Sequence, residues 1–247
     1  MAVMLVTGAS RGIGAAIAVE AARKGWDVAV HYGRSGTAAE QVAADVLKLG
    51  RKAVTIKADL QDPLAIESLF QELDRGLGPI DALINNAATD CVGEFANLPL
   101  SEIERVLRVN IVSLVRCCQE GILRMGLKYG GRGGVIVNIS SISARTGGLP
   151  GDVIYTLTKG AVDALTLSLS NEVAGDGVRV CAVRPGMIAT ELLEAHLGKD
   201  ALMERARRIY PMRRPGRPDE VAKLAVWLAS SDASFISGRG YDVAGGA

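Results

Sequence analysis

Short apolar runs recur along the chain at residues 3–6, 28–32, 53–58, 82–85, 135–139, 178–183 and 241–244, and each interval between them leaves room for a helix. The runs are continuous rather than alternating, which is how strands buried on both faces read, and a parallel sheet covered by crossover helices buries them that way. Right-handed crossovers between successive strands then give a doubly wound α/β sheet. The expectation is one domain with a seven-stranded, mostly parallel sheet. With 247 residues, 49% of them hydrophobic, the chain can bury such a core. Helices are predicted over 13–24, 37–49, 64–75, 111–128, 155–174 and 219–229. Pro63 behind Asp62, and Pro218 ahead of Asp219 and Glu220, mark two of their starts. The cluster Gly130-Gly131-Arg132-Gly133-Gly134 reads as a flexible turn into a strand, too short to join domains.

The first apolar run opens directly into Thr7-Gly8-Ala9-Ser10-Arg11-Gly12-Ile13-Gly14 and then a helix. Glycines at 8, 12 and 14 permit a tight turn and close backbone approach, while the helix start offers unpaired N–H groups and a positive dipole end to a phosphate. The spacing is G-x-x-x-G-x-G rather than the common dinucleotide G-x-G-x-x-G. Residues 8–12 also match the G-x-S-x-G nucleophile elbow of hydrolases. That elbow draws an oxyanion N–H from an earlier strand–helix loop, and only Met1 and Ala2 precede this strand. The two histidines do not favour it either, since His31 sits in an apolar run and His196 in a polar helix. A P-loop is excluded because no Gly-Lys-Ser/Thr follows the glycines.

Charge narrows the ligand. Lys and Arg number 28 against 27 Asp and Glu, a net charge of +1, so no bulk field draws the chain to nucleic acid or an anionic membrane. No apolar run approaches the roughly eighteen residues of a membrane span, and Met1 leads straight into a strand without a basic leader, so a cytoplasmic location is expected. Cys91, Cys117, Cys118 and Cys181 form no C-x-x-C pair, and with two histidines in the chain no metal site is expected.

The second run ends at His31-Tyr32-Gly33-Arg34-Ser35, where an acidic residue would hold the ribose hydroxyls of NAD. No acid stands there. Arg34, with Arg11 from the glycine turn, instead suits the 2′-phosphate of NADP. Further on, Tyr155 and Lys159 are i, i+4 neighbours on one helical face. A nearby cation favours the phenolate, and moving a phenol by about three pH units takes roughly 4 kcal/mol of differential interaction. The pair follows a strand ending in Asn138-Ile139-Ser140-Ser141, which brings a hydroxyl to the sheet's C-terminal edge, where such folds bind ligands.

Together these residues resemble the short-chain dehydrogenases/reductases over the whole chain, through Thr-Gly-x-x-x-Gly-x-Gly at 7–14 and Tyr-x-x-x-Lys at 155–159. The resemblance implies a single-domain Rossmann fold and hydride exchange between NADP(H), favoured over NAD(H), and a carbonyl or secondary alcohol. It implies Ser141, Tyr155, Lys159 and the helix-embedded Asn110 as catalytic residues. Ser141 would hold the carbonyl oxygen and Tyr155 would act as acid/base. Lys159 would lower the Tyr155 pKa and bind the nicotinamide ribose, and Asn110 would hold a relay water. Ser140 and Ser143 are alternatives to Ser141, which spacing and strand alternation favour.

Implied cofactor contacts come from Gly8, Ser10, Arg11, Gly12, Ile13 and Gly14, then from Arg34, Asp59 and Leu60, then from Asn86 and Ala87 of the Asn-Asn-Ala loop. Tyr155 and Lys159 join them, and Pro185, Gly186, Ile188 and Thr190 complete the set. Ala88 departs from the family's usual glycine. Gly216-Arg217-Pro218 and Gly245-Gly246 fit the family's tail.

Relatives of this size act on 3-oxoacyl thioesters of acyl carrier protein, or on small ketones, sugars and polyols, and the fold does not choose among them. Carrier-protein reductases often carry a basic residue just before the glycine that opens the sixth strand, whereas this chain has Asp176; Lys128 and Arg132 remain as compensating candidates. Thr89, Asp90, Arg145, Leu149, Ile154, Met187 and Leu192 are candidates to line the pocket, under a lid at about 190–215. Helices 111–128 and 155–174 are apolar around most of their circumference, so a homodimer or homotetramer is expected through them. The alternatives are a catalytically silent NADP-binding regulator, which should have lost part of the catalytic set, and an epimerase or lyase relative, which normally adds a C-terminal substrate region.

Overall fold

Every residue of β1 (Val3–Val6) and of β4 (Ala82–Asn85) is buried, which requires helices on both faces of the sheet. The computed structural model describes residues 2–191, 193–194 and 198–247. With β2 (Asp27–Tyr32), β3 (Ala53–Lys57), β5 (Gly134–Ile139), β6 (Val178–Pro185) and β7 (Gly240–Val243) the strands form one sheet in the order β3-β2-β1-β4-β5-β6-β7. All six pairings are parallel. Strand order reverses beside β1, which lies between β2 and β4, and a crevice at such a switch point is where doubly wound folds take ligands.

Alternate side chains of the strands feed two cores. Met4, Val6, Val28 and Val30 pack under α1 (Gly12–Arg23), α2 (Gly36–Lys48) and the late helix over Pro218–Ala229. Val3, Leu5 and Ala29 pack under α3 (Pro63–Gly76), with Phe70 fully buried among them; burying a ring of that size contributes about 2–3 kcal/mol. Across β4 and β5, Asn85 Nδ2 donates to Asn138 Oδ1 at 3.0 Å, and Asn138 Nδ2 reaches Thr166 Oγ1 at 2.9 Å.

Three described helices escape the sequence reading, the single turn over Ser143–Thr146 among them. Helix α4 (Leu100–Leu107) buries only Val106, and α8 (Lys199–Ile209) only Leu202 and Ala206; both are short and mostly polar, so few apolar residues mark them. The helix expected over 111–128 is also three pieces. A π-helical turn spans Arg108–Val112, α5 runs Ser113–Met125, and the chain turns at Gly126. The glycine cluster explains that stop. Gly131 and Gly133 donate to the carbonyls of Gly126 and Met125 at 3.0 and 2.8 Å, and a Cβ on Gly131 would lie 2.3 Å from the Met125 backbone. The cluster is therefore a packed cap on α5, not a flexible turn. Short α6 (Ser143–Thr146), long α7 (Val153–Val173) and α9 (Pro218–Ala229) complete the set. No described helix is long and apolar enough to cross a membrane.

Candidate active site

The turn between β1 and α1 is built for close approach. Gly8 and Gly12 adopt φ of +63° and +58°, a region that favours glycine. Gly14 is needed for another reason: a Cβ there would lie 2.3 Å from the Gly8 carbonyl oxygen and 2.5 Å from Asn86 Nδ2. Thr7 Oγ1 accepts the N–H groups of Asn86 and Ala87 at 2.9 and 3.0 Å. Asn86 Nδ2 returns bonds to the Thr7 and Gly8 carbonyls at 2.9 and 3.1 Å. These bonds lock the ends of β1 and β4 together.

No side chain caps the N-terminus of α1, where Arg11 stands in extended conformation, so its first N–H groups face outward for an anion. Arg11 and Arg34 are exposed, and neither is ion-paired among the described residues. Asp59 is exposed after β3, its carboxylate accepting the Gln61 N–H at 3.0 Å. Thr190 lies over the turn, since a Cβ on Gly12 would be 3.4 Å from its methyl. These groups fit a dinucleotide whose phosphates meet the start of α1. Leu60 and Ile188 are core side chains, which leaves only their backbone for a ligand.

At the ends of β5 and α7 the catalytic candidates converge. The Ser140 hydroxyl donates to the Lys159 carbonyl at 3.1 Å, which removes it from the pocket. Ser141 is the serine near enough to the Tyr155 phenol to oppose its upward shift, and its Oγ lies 3.1 Å from Ser143 Oγ. Lys159 Nζ sits 5.5 Å from the Tyr155 ring centre and donates to the Ile139 carbonyl at 2.7 Å. Beside it, a cavity of about 10 Å³ is bounded by Thr7, Asn110, Cys117 and Lys159, space on the order of one water.

Residues 8–247 match the family described as enoyl-(acyl carrier protein) reductase. The chain is 44% identical over 250 residues to the uncharacterized oxidoreductase YgfF of Escherichia coli, covering all of both chains. The chain belongs to the short-chain dehydrogenase/reductase family. It is also 34% identical to an L-rhamnose 1-dehydrogenase (NAD(P)(+)) of a Sphingomonas species, over 98% of this chain and 94% of that one. A short-chain dehydrogenase from Burkholderia cenocepacia, solved in complex with NADP, superposes with a TM-score of 0.91. It is 33% identical, and the match covers 98% of this chain and 96% of that one.

Within this dehydrogenase/reductase site, burial rather than the cation governs the phenol. Tyr155 is pushed up to about 12 by desolvation, with the Ser141 hydrogen bond opposing. Lys159 is itself pulled down to about 8 by burial. The lowering of Tyr155 expected from the i, i+4 pair is thus not what this arrangement produces, because the ammonium is turned to the Ile139 carbonyl. A protonated phenol at neutral pH is the acid that carbonyl reduction needs.

Asn110 works through its neighbours. Its Oδ1 accepts from Thr89 N at 2.8 Å, and its Nδ2 donates to Thr89 O at 2.8 Å and to Thr158 Oγ1 at 3.1 Å. The side chain is therefore committed to the loop after β4 and to α7, and it sits within a π-helical turn, a feature common at functional sites.

His31, read from sequence as an apolar-strand residue, has a positioning role that sequence reasoning missed. Its Nδ1 accepts the Gly8 N–H at 3.0 Å and its Nε2–H donates to the Ala58 carbonyl at 3.2 Å. Burial holds it neutral, with a pKa of about 4.

The pocket candidates divide. Thr89 is fixed by Asn110 and by Arg105 at 2.7 Å, and Asp90 acts on the Tyr155 phenol through its charge. Leu149 stands partly exposed before α7. Ile154 packs with Cys91 and Val106 in a small core instead of lining the pocket, and Arg145 is turned to an ion pair with Asp242. Met187 borders a cleft of about 510 Å³ with Tyr210, Arg214 and Asp242, whose lining includes none of Asn110, Ser141, Tyr155 and Lys159. Leu192 and His196 lie outside the described residues. Among the described residues no cluster of three His, Cys, Asp or Glu is arranged to hold a metal ion.

Proposed function

We propose that the protein is an NADP(H)-dependent oxidoreductase that interconverts a small neutral ketone and its secondary alcohol, a polyol or sugar included, with Tyr155 as acid/base. The observation that carries this reading is the convergence of Ser141, Tyr155 and Lys159 at the sheet edge that holds the uncapped glycine turn, with Arg11 of that turn and Arg34 after β2 exposed and not ion-paired among the described residues. Bound NADPH supplies the hydride. Ser141 donates a hydrogen bond to the substrate oxygen, and Tyr155 gives that oxygen its proton as negative charge develops on it. Lys159 holds the nicotinamide ribose and carries a positive charge beside the phenol, while Asn110 keeps the loop wall and the lysine helix in register. Gly8, Ser10, Gly12, Ile13 and Gly14 meet the phosphates, Arg11 and Arg34 the 2′-phosphate, and Asp59 with the backbone of Leu60 the adenine. Asn86, Ala87, Pro185, Gly186, Thr190 and the backbone of Ile188 frame the nicotinamide end.

A neutral substrate is favoured over an acyl carrier protein because the basic residues that would dock an acidic carrier are already neutralised. Lys128 pairs with Asp176 at 2.7 Å and Arg132 with Asp81 at 2.9 Å. The four buried free cysteines support a reducing, cytoplasmic setting. Exposed Val112, Leu123, Leu157 and Leu167 on the outer faces of α5, α7 and the π turn support a homo-oligomer, which a purely monomeric sedimentation profile at micromolar concentration would refute. Segment 190–215, with α8 anchored by Leu202 and Ala206, is read as a substrate lid. Limited proteolysis unchanged by NADPH would count against it.

The decisive experiment follows NADPH absorbance against diketones, sugars, polyols and acetoacetyl thioesters. Tyr155→Phe should keep cofactor affinity and lose at least about a hundredfold in turnover; near-normal activity in that variant sinks the assignment. Fluorescence titration should find NADPH bound more tightly than NADH, and the opposite order removes the role given to Arg34.

A further inference from the structure

One turn beyond Lys159 on α7 stands a carboxylate that the catalytic scheme does not use. Lys159 is 4% exposed, and a buried ammonium without a counter-charge is unfavourable. Asp163, at i+4 on the same helical face, is the carboxylate whose charge opposes that burial. Its Oδ2 accepts from Arg184 Nε at 2.7 Å, while its Oδ1 is buried with no hydrogen-bond partner among the described residues. A pair serving only to fasten α7 to β6 would present the two-pronged fork that arginine offers a carboxylate. Here the guanidinium divides instead. Arg184 Nη1 donates to the Gly240 carbonyl at 3.0 Å and to Asp242 at 3.4 Å, and Arg145 holds the other Asp242 oxygen. Glycine at 240 makes the seat, since a Cβ there would lie 2.6 Å from the Arg184 guanidinium carbon.

We propose that Asp163, gripped by Arg184, is a positioning residue for Lys159, a counter-charge that keeps the buried amine cationic and aimed at the Ile139 carbonyl. The catalytic consequence rests on the function proposed above, but the effect on Lys159 does not. The titratable and charged groups around the amine are few. Tyr155 and Asp163 share its helix, and the Cys117 thiol, pushed up by burial and therefore neutral, faces it from α5. Arg184 and Asp242 stand behind Asp163 on β6 and β7.

The test reads Lys159 directly. Lysine labelled with ¹³C at Cε is titrated by NMR in the whole protein, the Lys159 signal being assigned by its loss in Lys159→Met. Asp163→Asn should lower the Lys159 midpoint by about one pH unit, a tenfold loss in proton affinity. Asp163→Glu should restore most of it, and Arg184→Met, which removes a positive charge, should not lower it. If Asp163→Asn and Arg184→Met both lose thermal stability while the midpoint stays within about 0.3 unit of wild type, the pair is only a fastener and the proposal is overturned. In the reductase assay the alkaline limb of kcat/KM should fall by the same unit in Asp163→Asn. A shifted NMR midpoint in a protein that reduces no carbonyl defeats the proposed function and leaves this inference standing. Activity with an unmoved midpoint does the reverse.

Discussion

The two halves of the sheet fix their C-terminal edges by different means. On the side of β1, β2 and β3 the turn is locked by neutral groups: Thr7, Asn86 and a histidine that burial keeps uncharged. On the side of β5, β6 and β7 the locks are charges, with Arg184 placed between Asp163 and Asp242 and Arg145 closing the row. The division follows from what each edge must do. Neutral hydrogen bonds leave the positive end of α1 uncompensated, so an incoming phosphate meets its full field. Charged locks act on the protonation of a buried lysine, which is what acid/base chemistry has to control.

The sharpest way to break the neutral half is steric. Gly14→Ala places a Cβ 2.3 Å from the Gly8 carbonyl oxygen, and the expected outcome is a loss of about 3 kcal/mol or more with abolished NADPH binding, read by denaturant unfolding and fluorescence. Acid is the next lever. His31 titrates near 4 in the fold against 6.5 when free, so between those values the unfolded chain binds the extra proton. Its contribution is complete above pH 6.5 and fades as pH falls, reaching a loss of about 3 kcal/mol near pH 4. In urea unfolding from pH 7 to 4.5, His31→Gln should show a shallower fall than wild type, and identical slopes would show that the histidine is not the acid-sensitive lock. The smallest effect belongs to the charged half. Arg145→Ala removes an exposed partner of Asp242, and its thermal stability should fall by less than about 1 kcal/mol, with the change diminishing in high salt.

Much of this was legible in the chain because buried parallel strands announce themselves as unbroken apolar runs, and all seven expected strands form. Helices α4, α6 and α8 were not, since each buries at most two side chains. Spacing to Tyr155 and strand alternation favour Ser141 over Ser140, and the Ser140 bond to the Lys159 carbonyl is consistent with that preference. The roles of His31 and Asp163 were invisible for another cause. The partners of His31 are backbone groups of Gly8 and Ala58 that meet only when β2 pairs with its neighbours, and Asp163 meets Arg184 only when α7 folds back on β6. The tuning of Tyr155 could not be read either, because a side-chain spacing says nothing about how deeply the phenol is buried.

The amide pair between β4 and β5 has a consequence for how the sheet assembles. Asn85 stands opposite Asn138 in the parallel register, and between them they make contacts to Thr166 and Cys118. Apolar strands of nearly uniform Val, Ile and Leu can slide past one another with little penalty, whereas a slip of one residue here would strand two amides in hydrocarbon. The pair works as an index mark: it makes every misaligned docking of the two halves self-rejecting before the active-site loops at their ends have to form.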